Sequence, residues 1–115
     1  MAVVRIDALR SKGFAAITNA YTTLGTALTQ NWRMFRITNN TNGDMLISLD
    51  GTTDNLFVPQ NSFVLYDLST NAANVQDTDG FAMQLGSQFY VKYSTAPTGP
   101  VGGAVYIEGL YNRRS

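Results

Sequence analysis

The chain has 115 residues, eight of them Lys or Arg and eight Asp or Glu, with no His, no Cys and a formal net charge of zero. That length supports one hydrophobic core rather than two, and the missing residue types exclude disulfides, thiolate metal sites, a cysteine nucleophile and the usual neutral-pH general base. Neutrality also argues against a phosphate-binding surface, whose affinity comes from concentrated Lys and Arg.

Taken in chain order, residues 1–12 read as an extended N-terminal arm: Val3, Val4, Ile6 and Leu9 are interleaved with Arg5, Asp7, Arg10 and Lys12. Half of the basic residues lie in the first 33 positions beside a single acid, Asp7, so this is the positive end of the molecule. Residues 13–115 read as a single β-sandwich domain. A helix over 14–24 is the weaker reading, because β-branched residues crowd that stretch and no capping pattern opens it. Strict alternation begins near residue 33. Phe35 and Ile37 share one face, Met45, Ile47 and Leu49 share another, and Asn39-Asn40-Thr41-Asn42-Gly43-Asp44 lies between them. Asn and Gly tolerate the positive φ of tight turns, so residues 33–50 read as a β-hairpin.

A second turn cluster at Asp50–Asn55 precedes Leu56-Phe57-Val58, which Pro59 closes because it cannot donate to a ladder. Phe63-Val64-Leu65-Tyr66-Asp67-Leu68 is apolar on both faces, the pattern of a strand covered on two sides. Residues 69–80 form a polar connection with room for one short strand. Gln88–Ser94 alternates again, with Phe89, Val91 and Tyr93 together. After a Gly- and Pro-rich loop, residues 104–111 make a last strand, with Val105, Ile107 and Tyr111 on one face. Seven or eight short strands with little helix predict an all-β fold, an antiparallel β-sandwich or jelly roll.

The polar residues are mostly uncharged: 13 Thr, 10 Asn, 7 Ser and 5 Gln occupy positions where an average domain carries charge. Weak mutual repulsion favours permanent contacts between copies. The longest apolar runs are four residues, against roughly 20 for a spanning helix, so no membrane association is expected. The opening residues lack the apolar stretch of a secretory signal, which predicts synthesis in the cytoplasm. In that setting the Asn39-Asn40-Thr41 triplet is an accidental match to a glycosylation site.

Chemistry is thinly represented. Asp44, Asp50 and Asp54, and Asp77 with Asp79, resemble acid pairs, but Asp is equally a turn residue that bonds its own backbone. The same loops offer oxygen ligands for calcium, without the twelve-residue pattern or its closing Glu. Gly99–Gly103 lacks the Lys-Ser/Thr ending of a phosphate loop. Tyr90, Tyr93, Tyr106 and Tyr111 would stack on sugars if coplanar, although Tyr is also at home within strands. No catalytic residue, cofactor or metal is expected.

Three stretches then resemble a known family. Phe35-Arg36-Ile37-Thr38-Asn39-Asn40-Thr41, the run from Met45 through Asp50-Gly51 to Val58-Pro59, and Phe63–Leu68 look like small virion proteins of tailed bacteriophages. They are most similar to the jelly-roll cement, staple or decoration proteins bound outside icosahedral capsids. Phe89–Tyr93 and Ala104–Gly109 fit closing strands, so the resemblance covers about residues 26–111. It is one of texture, without an invariant motif. It implies a protein without enzymatic activity, located on the outer capsid surface of a virion, that clips major capsid protein subunits together. It also implies self-association as a homodimer or homotrimer, and no nucleic-acid partner. Alternatives are a head–tail connector, a tail or fibre component, or a carbohydrate- or receptor-binding module. A terminal arm adds a strand to a neighbour without needing a pocket. The expected protein contacts are therefore Val3, Val4, Arg5, Ile6, Leu9 and Arg10 from the arm, and Tyr111, Arg113 and Arg114 from the tail.

Overall fold

Alternation and burial agree along the central strands of the computed structural model, which describes residues 2–67, 83, 85–94 and 102–114. Among these residues nine strands form in order: β1 (Ala2–Ile6), β2 (Arg10–Gly13), β3 (Thr22–Thr23), β4 (Trp32–Thr41), β5 (Met45–Ser48), β6 (Leu56–Val58), β7 (Ser62–Asp67), β8 (Tyr90–Tyr93) and β9 (Gly103–Arg114). The larger sheet runs β1-β9-β4-β7, with β2 also on β9, and the smaller runs β3-β8-β5-β6. All pairings are antiparallel. The protein is an all-β sandwich. In place of a helix after residue 13 there is one 3₁₀ turn, Phe14–Ala16.

The core lies between the sheets. Phe35, Ile37, Val105 and Ile107 face it from the larger sheet, and Met45, Ile47, Val58 and Val91 from the smaller. Loop residues Ile17, Leu24, Leu28 and Phe89 close it around Trp32, which stacks on Phe89 and is fully buried. Gly109 is required here, because a Cβ at that position would overlap the Trp32 indole.

The expected hairpin over 33–50 does not form. β4 pairs with β7 and β9, whereas β5 pairs with β6 and β8, so the chain changes sheets between them. The cause is Asn39, whose amide is buried instead of capping a surface turn. Its Nδ2 donates to the carbonyls of Gly43 (2.8 Å), Val58 (3.0 Å) and Pro59 (3.2 Å), and its Oδ1 accepts from the Thr41 amide and hydroxyl. The amide thus ties the end of the larger sheet to the start of the smaller. The expected polar connection at 69–80 and most of the loop before the last strand lie outside the described residues.

The residues read as an arm are strands. β1 lies along β9 residues 110–114 and β2 along 104–107, end to end on one edge. Between them Asp7, Ala8 and Leu9 face only Glu108 and Gly109, so the register slips by one residue. A side-chain cluster fastens this irregularity. Asp7 accepts from Trp32 Nε1 at 2.8 Å, and the Arg10 guanidinium lies 5.2 Å from the Trp32 ring centroid. Arg10 also donates to Asp7 and to the carbonyls of Ala8, Thr26 and Ala27. Burial alone would raise the Asp7 carboxyl. The hydrogen bonds from Trp32 and Ala8 and the adjacent Arg10 outweigh it and hold the group below its ordinary range.

Candidate docking surface

The side of the larger sheet turned away from the core is apolar where a solvated sheet face would be polar. Three rows cross it. Ile6 on β1 lies opposite Leu110 on β9, which lies opposite Met34 on β4. In the next row Glu108, Arg36 and Leu65 are neighbours on β9, β4 and β7, and in the third Tyr106, Thr38 and Phe63. Ile6 is 74% exposed, Phe63 58% and Leu65 54%. Together with Met34, Arg36, Glu108 and Leu110 they line a groove of about 340 Å³. The strand expected to be covered on two sides is covered on one, and among the described residues it is the last strand of its sheet. Val64 packs on the core while Phe63 and Leu65 face outward.

One ion pair stands in this apolar surface. Arg36 Nε donates to Glu108 Oε1 at 2.8 Å, and the guanidinium lies 5.7 Å from the Phe63 ring centroid. Both charges are partly solvated, so the pair contributes at most about 1 kcal/mol to folding. Its effect is to fix two long side chains, leaving a neutral, preorganised surface in which aliphatic groups surround one donor and one acceptor.

The residues singled out as contacts are partly brought together. Backbone pairing sets Val3 opposite Arg113, Arg5 opposite Tyr111 and Ile6 opposite Leu110, so arm and tail form one ribbon. Val4 lies in the same strand opposite Asn112, and Arg114 lies opposite Ala2. Ile6 joins the apolar face, and Leu9 is 59% exposed at the register slip. Arg10 is turned inward by the contacts above, and Tyr111 packs against the core. Met34, Phe63, Leu65 and Leu110 escaped the sequence reading. The available signal was the doubly apolar pattern of 63–66.

The other groups weighed for chemistry are occupied. Asp50 accepts hydrogen bonds from the Thr53 and Thr52 amides and the hydroxyls of Thr53 and Ser48. Those bonds hold its carboxyl far below the ordinary range. Tyr21 donates to Asp54 at 2.5 Å, and Lys92 lies 4.7 Å from the Tyr21 ring centroid. Desolvation, with Asp54 adding to it, pushes the Tyr21 hydroxyl well up, which keeps it a donor. Among the described residues no three of His, Cys, Asp and Glu are placed to hold a metal ion. Asp77 and Asp79 lie outside those residues. The four tyrosines make no common platform. Tyr90 and Tyr93 lie on the smaller sheet, Tyr106 and Tyr111 on the larger, and Tyr93 and Tyr111 pack against the core. Compared with known family models, curated proteins and solved structures, the chain has no match.

Proposed function

We propose that this protein is a structural component of a bacteriophage virion that binds the outer surface of an icosahedral capsid and cements neighbouring major capsid subunits, associating with copies of itself as it does so. The observation that carries the reading is the exposed apolar face of the larger sheet, an open surface with a fixed ion pair at its centre. Interfaces of this kind gain from apolar burial at the centre and use a few charges to set register. The neutral, amide- and hydroxyl-rich remainder tolerates dense packing of many copies.

The test is quantitative electrophoresis of purified particles, with the band of this protein measured against the major shell protein. A cement protein is present in hundreds of copies, a connector in about a dozen or fewer, and absence from particles overturns the proposal. Leu65→Glu places a charge on the groove while removing no core contact. Its unfolding free energy is expected to stay within about 0.5 kcal/mol of the parent, whereas occupancy on particles collapses. Full occupancy of the Leu65→Glu variant refutes this face as the docking surface.

A further inference from the structure

The edges of the two sheets are not protected equally. In the smaller sheet β3 is two residues long, and β6 is three residues long and followed by Pro59. On the larger sheet the outer edge of β2 is screened, since Lys12 Nζ donates to the Thr23 carbonyl and Arg10 reaches those of Thr26 and Ala27. Among the described residues β1 has no such cover. Its five residues, Ala-Val-Val-Arg-Ile, contain no Gly, Pro or bulge, and among the described residues they pair with β9 alone. Natural sheets blunt exposed edges with prolines, bulges or covering loops, and an unblunted edge is a template for another strand.

The strand beneath it is equally bare. β4 pairs with β9 only as far as Tyr111, so residues 112–114 have β1 as their sole neighbour among the described residues. The ends of β1 and β9 therefore project as a two-stranded ribbon, and such a ribbon is marginal in water until further strands are added. Arg5 and Ile6 of β1 are exposed, Ile6 at the border of the apolar face.

We infer that two copies of this chain join edge to edge through β1, antiparallel about a twofold axis near Val4, so that their larger sheets become one continuous sheet. The maximal-overlap register sets Val4 against the partner's Val4 and Ile6 against the partner's Ala2. It also sets Arg5 against the partner's Val3, staggering the two Arg5 positions rather than opposing them. A twofold contact of this type is self-complementary, and the repulsion between the arginines of the two ribbons (Arg5, Arg113 and Arg114) is eased by the stagger and screened at physiological ionic strength. The junction brings the two grooves side by side across the dyad, each bordered by its own Ile6. The inference deepens the self-association within the proposed function by naming its surface. A five-residue edge belongs to the weak class of interfaces, so dimers are expected at roughly 10–100 µM in solution.

The absence of cysteine permits a clean test on the full chain. Single substitutions Val4→Cys, Leu65→Cys and Thr52→Cys place one thiol at the proposed dyad, on the apolar face and on a turn of the smaller sheet. Cα atoms of directly opposed antiparallel residues lie within disulfide range. Val4→Cys is therefore expected to give covalent dimers at least about tenfold faster than Thr52→Cys, because pairing raises the effective thiol concentration. A second variant lacking residues 2–5 is expected to keep the buried-tryptophan emission and to be monomeric by light scattering at every concentration tested. Crosslinking led by Leu65→Cys, equal rates at all three sites, or a dimer that survives the deletion overturns the inference. A monomer that still loads onto capsids likewise overturns it and leaves the capsid reading standing. A β1-linked dimer that never appears in particles supports it and removes that reading.

Discussion

Asn39 offers the sharpest test of how the two sheets are joined. The residue is fully buried, and its side-chain amide serves the Gly43, Val58 and Pro59 carbonyls and the Thr41 amide and hydroxyl. Replacement by Ala does not strand all of these groups. The Gly43 carbonyl keeps the Thr41 hydroxyl, and the Pro59 carbonyl keeps the Ser62 hydroxyl. The Thr41 amide and the Val58 carbonyl each lose the Asn39 bond. At about 1–3 kcal/mol for each buried group deprived of a partner, Asn39→Ala is expected to cost about 3 kcal/mol. For a chain of this length that lowers the thermal midpoint by roughly 12 °C. Asn39→Asp keeps the volume and the acceptor but turns a carboxylate oxygen toward three carbonyls, so it is expected to cost more than Ala at neutral pH. Part of the loss returns on acidification, because the protonated acid donates once. The single tryptophan, fully buried, reports urea unfolding directly. An Ala variant losing under about 1 kcal/mol, or an Asp variant no worse than Ala, would refute the assignment of this amide as the tie between sheets.

Three further predictions follow from the clasp and the turns. Gly109→Ala drives a methyl into the Trp32 indole and is expected to cost about 3 kcal/mol, with a shift in tryptophan emission; an unchanged spectrum counts against the packing described. Asp7 is held below the ordinary carboxylate range when folded, so its stabilisation is complete above the unfolded pKa and lost as pH falls through the folded one. Asp7→Asn should therefore lower stability at pH 7 by roughly 1–2 kcal/mol and flatten the acid limb of the stability curve, measured by urea titration at several pH values. Asp50 should remain ionised in carboxyl NMR titrations at pH values where free aspartates are already protonated; removing its four donors with Ser48→Ala and a Thr52-Thr53 deletion should restore an ordinary titration.

The inward face of the sandwich was legible because period-two patterning survives in folded strands. Phe35, Ile37, Met45, Ile47, Val91, Val105 and Ile107 were aligned by alternation and are core residues. Strand partnership was not legible. A hairpin and a chain that crosses between sheets have the same alternation, since both present one apolar face to one core. The distinguishing sign was that the inward series 35, 37 continues through Asn39 and Thr41, where turn-forming residue types concealed buried positions. Leu24 and Leu28 lie outside the strands, and no period marks a loop residue that plugs a core, whereas Phe89, just before β8, continues the alternation of Val91. The outer groove was hidden for a related reason. A strand apolar on both faces reads the same whether one face or both are covered, and only the exposure of Phe63 and Leu65 on β7 separates the two.

The order of synthesis gives β9 a particular consequence. It is the last of the nine strands among the described residues, yet β1, β2 and β4 all hydrogen-bond to it. A polypeptide leaving the ribosome thus carries three earlier strands whose common neighbour has not been translated, and the larger sheet closes only when Gly103–Arg114 emerges. Closure of that sheet waits on this segment, and chains stopped short of it are left with open strand edges that proteases and aggregation act upon.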